Sequence, residues 1–153
     1  MSPISSPTTR IDPYLVGNFR VEIQGVTKAT SFSEVYGLEA AIDVVDYRAG
    51  DDLPNAVRKL PGLNKYTNVT LKRGLTSDTS LWTWILSALN GKVLRAIVLI
   101  TLLDQADNPV WQWKLGNAWP CRWTGPVLKA ECSEVAIESL EICYESLQST
   151  FLG

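Results

Sequence analysis

Residues 67–89, TNVTLKRGLTSDTSLWTWILSAL, contain a change of hydrophobic period that separates two kinds of secondary structure. In the first part, apolar and polar residues alternate as they do in half-buried strands, and Gly74 ends the run. In the second part, apolar residues recur with the spacing of one helix face. We therefore predict a strand followed by a helix at about residues 79–90, with Ser77 or Asp78 capping its start.

Most of the remaining chain has the two-residue period of strands. Strands are predicted at residues 18–24, 29–36, 38–47, 110–115 and 134–145, and a further strand without alternation at 95–103. The first three predict a meander, and the nearly continuous apolar run at 95–103 is expected of a strand covered on both faces. The residues thus predict one mainly β domain with a single helix at 14–153, after a flexible segment rich in Ser, Pro and Thr at 1–13.

Residues 48–65 interrupt the regular pattern. Gly50, Pro54, Pro61 and Gly62 break the periodicity there. Connections longer than about 12–15 residues without secondary structure are uncommon in compact domains and tend to be functional. We therefore predict a long contact loop. Its candidate interface residues are Arg48, Asp51, Asp52, Arg58, Lys59, Leu60 and Lys65.

The composition excludes several classes of protein. A chain of 153 residues with 46% hydrophobic and 20% charged residues has the balance of one globular domain. The net charge is −2 and the basic residues are dispersed, which argues against nucleic-acid binding. The apolar run at Ala96–Leu103 is too short to span a bilayer, and the first residues lack the pattern of a signal peptide. We expect a soluble protein that does not insert into membranes.

The chain lacks the usual chemistry of an active site. It has no histidine, which removes the common catalytic triads and His-based metal sites. Cys121, Cys132 and Cys143 are too far apart in sequence for a compact zinc motif, so we interpret them as reduced thiols that pack as small buried apolar groups. Asp104 and Asp107 bracket a predicted turn, where carboxylates commonly cap the backbone. We expect no catalytic residue, metal or cofactor.

A series of short motifs resembles the phage tail tube protein family of contractile tails. In chain order they are Asp12-Pro13-Tyr14, Asn18-Phe19-Arg20-Val21-Glu22-Ile23, Phe32-Ser33-Glu34-Val35, Tyr47-Arg48-Ala49-Gly50, Arg58-Lys59-Leu60-Pro61-Gly62-Leu63-Asn64-Lys65-Tyr66, Val69-Thr70-Leu71-Lys72-Arg73-Gly74, Leu81-Trp82-Thr83-Trp84, Asn117-Ala118-Trp119-Pro120, Trp123-Thr124-Gly125-Pro126 and Glu134-Val135-Ala136-Ile137-Glu138-Ser139-Leu140-Glu141. The resemblance extends from about Asp12 to Leu147. The family commonly has a His near Cys143 and a Gly near Ser146, and this chain departs from it at both places.

The resemblance implies an antiparallel β-barrel or sandwich with a flanking helix that closes into a hexameric ring. Rings of this family stack into a hollow tube that conducts DNA or protein effectors without holding them tightly. The implied partners are a contractile sheath protein, a baseplate or tube initiator and tape-measure proteins. The resemblance also implies assembly in the cytoplasm, into a virion tail or into an injection particle that is cytoplasmic, membrane-anchored or released. By the same analogy, the 48–65 loop reaches the adjacent ring.

Two other interpretations remain at this point. The six tryptophans fit core and subunit contacts, but they also fit the wall of a monomeric β-barrel that binds a small apolar ligand. Within assemblies, the tube protein of a type VI secretion system is the nearest alternative, although the motifs fit the phage branch better. A hydrolase built on paired carboxylates is the weakest alternative, because the acidic residues have the positions of turns and solvated edges.

Overall fold

The structure of the chain is a computed structural model that describes residues 12–48, 50 and 57–153. The predicted flexible segment at 1–13 therefore lies almost entirely outside the described residues. In chain order the elements are β1 (Phe19–Ile23), β2 (Thr27–Thr30), β3 (Glu34–Tyr36), β4 (Ala40–Tyr47), β5 (Arg58–Tyr66), β6 (Val69–Gly74), α1 (Ser80–Leu89), β7 (Ala96–Leu103), β8 (Pro109–Thr124), β9 (Ile137–Cys143) and β10 (Ser146–Phe151). The predicted mainly β fold with one flanking helix is confirmed.

The strands form a two-sheet body and a separate hairpin. In the body, the first sheet has the order β2-β1-β7-β8, and β10 pairs with the other side of β8. The second sheet has the order β8-β9-β6-β3. All of these pairs are antiparallel, and closure of the body into a barrel stays a prediction. The hairpin consists of β4 and β5 alone.

Strand β8 joins the two sheets because it is long and carries a bulge at its middle. Ala96 lies opposite Ala118 but Val98 lies opposite Leu115, so β8 has one extra residue between them. Asn117, in this bulge, has a φ of 50°. Its Nδ2 donates to Glu145 Oε2 at 3.1 Å, at the point where β9 ends and β10 begins. The bulge therefore coincides with the change from one sheet to the other.

The core lies between the two sheets and under α1. Its fully buried strand residues alternate along β1, β6, β7, β8 and β9 with residues that point outward. Helix α1 contributes Leu81, Trp84 and Ile85, and Trp84 Nε1 donates to the Leu94 carbonyl at 2.8 Å. Trp82, two residues earlier, points to the outside and contacts Trp123 edge-on at 5.0 Å. Amphipathic spacing thus places the helix as its sequence predicts.

The predicted meander of the first three strands is wrong. The segment predicted as one strand at 29–36 is divided into β2 and β3, which belong to different sheets, and β4 belongs to neither. The division occurs at Phe32, whose side chain is buried in the core beneath the guanidinium of Arg73. The chain thus passes from the first sheet to the second on either side of this buried ring.

The prediction of a long loop over residues 48–65 is also wrong for residues 58–65, whereas residues 49 and 51–56 lie outside the described residues. Residues 58–66 form β5, which pairs with β4. The register shifts where Ile42 lies opposite Asn64 but Val44 lies opposite Pro61, so Gly62 falls within a bulge. A Cβ on Gly62 would lie 3.1 Å from the Asp43 carbonyl oxygen. Proline and glycine mark an irregular strand here, which the sequence pattern does not distinguish from a loop.

Candidate assembly interface

The β4–β5 hairpin exposes apolar side chains that a monomer would be expected to bury. Val44 is 65% exposed and Leu63 is 76% exposed. The other exposed large apolar residues of the two strands are Ile42, Val45, Tyr47 and Leu60. Contiguous exposed apolar surface of this kind marks an interaction site. The hairpin is therefore the first candidate for a subunit contact.

Both faces of this hairpin are apolar. Ile42 and Val44 point to one face, whereas Val45 and Tyr47 point to the other, because side chains alternate along a strand. Leu60, opposite Val45, adds to the second face. An isolated two-stranded hairpin is at best marginally stable in water, and here neither face is covered by the body. The geometry fits an arm that becomes buried against other chains.

Charged side chains on the hairpin are paired across its strands. Lys59 Nζ lies 2.8 Å from Asp46 Oδ1, and Lys65 Nζ lies 3.1 Å from Asp43 Oδ1. All four side chains are exposed, and exposed pairs of this kind contribute about 0.2–1 kcal/mol or less. Within each pair the two opposite charges neutralise each other. The surface of the hairpin is therefore largely apolar and uncharged.

The base of the hairpin is attached to the body around Glu39. Thr67 Oγ1 donates to Glu39 Oε2 at 2.8 Å, and Tyr144 Oη donates to the Glu39 carbonyl at 3.5 Å. Tyr66 and Tyr144 pack with ring centroids 5.6 Å apart. Burial raises the pKa of Tyr144, whose ring lies in the core. The attachment fixes the direction in which the hairpin leaves the body.

The structure brings four of the seven predicted interface residues onto one strand. Arg58, Lys59, Leu60 and Lys65 lie on β5, and Arg48 directly follows β4. Asp51 and Asp52 lie outside the described residues. The role of all seven residues as subunit contacts stays a prediction.

Sequence reasoning missed the apolar residues of the hairpin, most clearly Val44, Val45 and Leu63. The signal available was the adjacent pair Val44-Val45, which places apolar groups on both faces of one strand. Such a strand is either covered on both faces within its own domain or covered by other chains. In this structure its own domain does not cover it.

Unpaired strand edges form a second candidate contact. Within the described residues, β2, β3 and β10 each pair with one neighbour, β1, β6 and β8 respectively. Strand edges present unpaired N–H and C=O groups that template pairing with another chain. The body therefore has main-chain surfaces suited to lateral association.

The outward faces of the sheets carry polar side chains with balanced charge. Lys72 lies 3.6 Å from Glu34, and Arg122 lies 3.9 Å from Glu141, measured between their charged atoms. On the first sheet, Gln112 Nε2 donates to Thr101 Oγ1 at 3.4 Å. These faces offer no concentrated charge to either DNA or protein.

A buried ionic network joins α1 to the second sheet. Arg73 Nε donates to Glu138 Oε2 at 3.2 Å, and the Arg73 guanidinium also donates to the carboxylate and the carbonyl of Asp78. Glu138 Oε1 accepts from Trp123 Nε1 at 3.1 Å. Arg73 and Glu138 are almost fully buried, and their polar atoms are paired within this network. The arrangement positions the start of the helix and is complete without a ligand.

Other acidic residues have structural partners. Asp104 Oδ1 accepts from the backbone N–H groups of Ala106 and Asn108 at 2.9 and 2.8 Å, which confirms the interpretation of this residue as a turn former. Among the described residues there is no group of three or more Cys, Asp or Glu placed to hold a metal ion. None of the helical structure described is long and apolar enough to cross a membrane.

The interpretation of the cysteines as buried apolar groups is wrong for two of the three. Cys121 and Cys132 are exposed, and Cys143 is half-buried. Although the residue is exposed, partial desolvation of its sulfur by neighbouring groups raises the pKa of Cys121 to about 12, and the Cys143 thiol and Glu141 carboxylate act in the same direction. The thiolate of Cys121 is therefore disfavoured, chiefly because desolvation penalises its charge, and the adjacent carboxylate adds to this effect.

Comparison with known proteins identifies the family. The family model described as "T4-like virus tail tube protein gp19" matches residues 17–148. No curated protein sequence matches the chain. A chain of the PVC sheath-tube complex, from an extracellular contractile injection system in its extended state, is 26% identical, with a TM-score of 0.82 over 92% of this chain and 93% of that one.

Two further structures share the fold. A chain of the anti-feeding prophage cap is 21% identical, with a TM-score of 0.86 over 99% of this chain and 100% of that one. Hcp1 from Flavobacterium johnsoniae is 12% identical, with a TM-score of 0.52 over 86% of this chain and 93% of that one. Because the family model matches most of its length, the chain belongs to the T4-like virus tail tube protein family and is a structural subunit of an inner tube.

Proposed function

We propose that this chain forms hexameric rings that stack into the inner tube of a contractile phage tail or phage-like injection system. The observation that carries the proposal is the β4–β5 hairpin, which exposes apolar residues on both faces. In an isolated subunit the apolar side chains of the hairpin stay exposed to water. In a stack of rings, neighbouring chains can cover both faces. The role is structural and requires no catalytic residue, metal or cofactor.

Ring closure uses the edges of the body. Strands β2, β3 and β10 each have one paired side, and their free sides can pair with strands of a neighbouring copy. In a closed ring, one edge of each subunit contacts a different edge of the next subunit, so the row of subunits has no open end. This arrangement turns edges that would otherwise promote aggregation into specific contacts.

Stacking uses the hairpin. Its apolar faces contact the adjacent ring, and the predicted contact residues Arg58, Lys59, Leu60 and Lys65 lie along it. The Lys59–Asp46 and Lys65–Asp43 pairs stay within one subunit, so stacking depends mainly on apolar burial. Arg48, directly after β4, continues this contact, and Asp51 and Asp52, which lie outside the described residues, stay predicted contacts.

The polar outer faces suit a conduit. Their opposite charges are paired, as in Lys72 with Glu34, and the net charge of the chain is only −2. A lumen of this character lets DNA or protein effectors pass, because strong binding to the wall needs concentrated charge or exposed apolar surface. We infer weak contact with the cargo.

The similarity to an extracellular injection system supports a sheath partner. The PVC chain at 26% identity belongs to a sheath-tube complex. We propose the same arrangement here: the tube is assembled in the cytoplasm within a sheath, begins at a baseplate or tube initiator, and has its length set by tape-measure proteins. The higher identity to the PVC chain than to Hcp1 favours this branch over a type VI tube.

Negative-stain electron microscopy with light scattering tests the proposal. The wild-type chain is expected to give six-fold rings or tubes. The double variant Ile42→Thr, Val44→Thr keeps β-branched residues but removes apolar surface from one hairpin face, and it should give rings that do not stack. The matched control, Ile42→Val with Val44→Ile, keeps the surface apolar and should form tubes of normal length. A stable monomer whose tryptophan fluorescence responds to small apolar ligands would instead support the alternative of a ligand-binding barrel.

A further inference from the structure

Two thiols meet on the outer face of the second sheet. In the pairing of β8 with β9, Trp119 lies opposite Cys143 and Arg122 lies opposite Glu141. The register shifts between Pro120 and Arg122, so Cys121 is the extra residue of a bulge. Pro120 and Ile142 lie opposite each other and are buried, so the side chains of the residues that follow them, Cys121 and Cys143, both lie on the outer face, where the two thiols interact.

The bulge also holds the Cys121 side chain in place. Its Sγ donates to the Glu141 carbonyl at 3.4 Å and lies 3.5 Å from Glu141 Oε2. Asn68 Nδ2 donates to the same sulfur at 3.7 Å. One of these contacts comes from Glu141 on β9, and the other comes from Asn68, which directly precedes β6. They keep the sulfur on the outer face, next to the Cys143 side chain.

The two thiols also bracket a long irregular segment. Residues 125–136 connect β8 to β9 without a strand or helix, and Val127 and Leu128 within them are highly exposed. A covalent link between the cysteines would close the base of this segment. Loop closure restricts the unfolded chain, which is the main way in which a disulfide stabilises a protein.

We propose that Cys121 and Cys143 are a disulfide-forming pair that reacts with small disulfides of the glutathione type. One protein thiolate attacks a sulfur of the small disulfide, forming a mixed disulfide and releasing one small thiolate. The second protein thiolate then attacks the protein sulfur of the mixed disulfide, forms the Cys121–Cys143 bond and releases the second small thiolate. The two protons lost by the protein thiols go to solvent or to the released thiolates. Two protein thiols are oxidised and one small disulfide is reduced to two thiols.

The local environment slows the reaction of Cys121 with such an oxidant. Attack requires a thiolate, and the pKa of about 12 makes the thiolate of Cys121 scarce near neutral pH. Glu141 contributes by placing a carboxylate beside the sulfur, and Arg122, 3.9 Å from that carboxylate, offsets part of its charge.

The test uses the full chain carrying Cys132→Ser, which removes the third thiol and leaves the pair intact. After incubation with oxidised glutathione and alkylation of the remaining thiols, trypsin should release residues 115–122 linked to residues 130–153. Only the Cys121–Cys143 bond can join these peptides in that variant, and dithiothreitol should separate them. The oxidised chain should run as a monomer on a non-reducing gel and melt roughly 5–10 °C higher than the reduced chain.

The matched control is the double variant Cys121→Ser, Cys132→Ser, which should show neither the linked peptides nor the shift in Tm. Separate peptides, glutathione adducts alone, or a link found only in dimers of two chains would each overturn the proposal. None of these outcomes depends on tube formation. The disulfide and the structural role can therefore fail independently.

Discussion

The two-sheet body and the β4–β5 hairpin use the same kinds of residue in opposite ways. Val21 on β1 is fully buried, whereas Val44 on β4 is 65% exposed, and both lie on strands with antiparallel partners. The difference is that the body folds one sheet over another, while no second layer from residues 12–48, 50 or 57–153 covers the hairpin. Local pattern specifies the strand in both cases. What covers the strand depends on the rest of the assembly.

The residues that stabilise the subunit should therefore lie in the body, and those that stack the rings should lie in the hairpin. Substitutions in the body should unfold the subunit, and substitutions in the hairpin should leave it folded but impair stacking. The largest effects on stability are expected in the buried ionic network, and the smallest at the exposed ion pairs of the hairpin.

Removing Glu138 should have the largest effect on the subunit itself. The Glu138→Ala variant leaves the guanidinium of Arg73 with an unpaired buried group and removes the acceptor of Trp123 Nε1. Breaking a buried pair in this way costs about 3–5 kcal/mol. Urea denaturation followed by circular dichroism should show the loss. A decrease below about 1 kcal/mol would mean that solvent or Asp78 compensates for the missing carboxylate.

Leu71→Ala tests the body core. Leu71 is fully buried, with Val35 and Leu140 opposite it on the two neighbouring strands. Truncation should reduce the free energy of unfolding by about 2–5 kcal/mol, because a cavity adds to the lost burial. Val44→Ala in the hairpin is the contrasting variant, and it should change subunit stability by about 0.5 kcal/mol or less. Equal losses in the two variants would contradict the distinction between body and hairpin.

Asp78→Ala should have an intermediate effect that depends on pH. Asp78 Oδ1 accepts from the backbone N–H of Ser80 at 2.9 Å, at the start of α1. That hydrogen bond, together with contacts to the Ser80 hydroxyl and to Arg73, lowers the pKa of Asp78 below its usual value of 3.8. The N-cap residue is Thr79 and not Ser77 or Asp78 as predicted, but Asp78, which precedes it, still accepts from the first turn, and loss of such a hydrogen bond costs about 1 kcal/mol.

The sign of the pH dependence follows from the lowered pKa. Ionised Asp78 stabilises the folded state above pH 3.8, and this contribution is lost as the pH falls through the lower pKa of the folded state. The difference between wild type and Asp78→Ala, measured by urea denaturation, should therefore be full at pH 6 and shrink below pH 3.8. A difference that grows on acidification would contradict this assignment.

Charge reversal on β5 should have the smallest effect on the subunit. The double variant Arg58→Glu, Lys59→Glu replaces the exposed Lys59–Asp46 pair with two like charges, and the expected cost to stability is about 1 kcal/mol or less. Stacking should weaken nonetheless, because the added charges lie on the contact strand. Short tubes or single rings by electron microscopy, with a normal circular dichroism spectrum, are the expected result. Tubes of unchanged length would remove these two residues from the interface.

Much of the body could be predicted from sequence because its residues repeat with one clear period. The alternation in β6 and the helical spacing from Leu81 each have one buried face, and the structure places both as expected. The division between β2 and β3 could not be predicted, because it depends on the burial of Phe32 by residues far away in sequence. Tertiary packing decided that boundary.

The candidate interface was predictable in location but not in form. Pro61 and Gly62 marked residues 48–65 as irregular, and the irregularity is a bulge within a strand rather than a loop. The pattern of β4 shows which residues share a face, but not whether another layer covers that face. Similarly, the contact between Cys121 and Cys143 depends on a register shift that spacing along the chain does not reveal.

Amide hydrogen exchange tests the central claim, that the hairpin is covered by neighbouring copies. The soluble subunit and the assembled tube should be compared under the same conditions, with β7 and β8 as internal references for the body. In the subunit, amides of β4 and β5 should exchange much faster than those of the reference strands, and in the tube they should become strongly protected. Equal exchange of the hairpin in the two states would contradict the account.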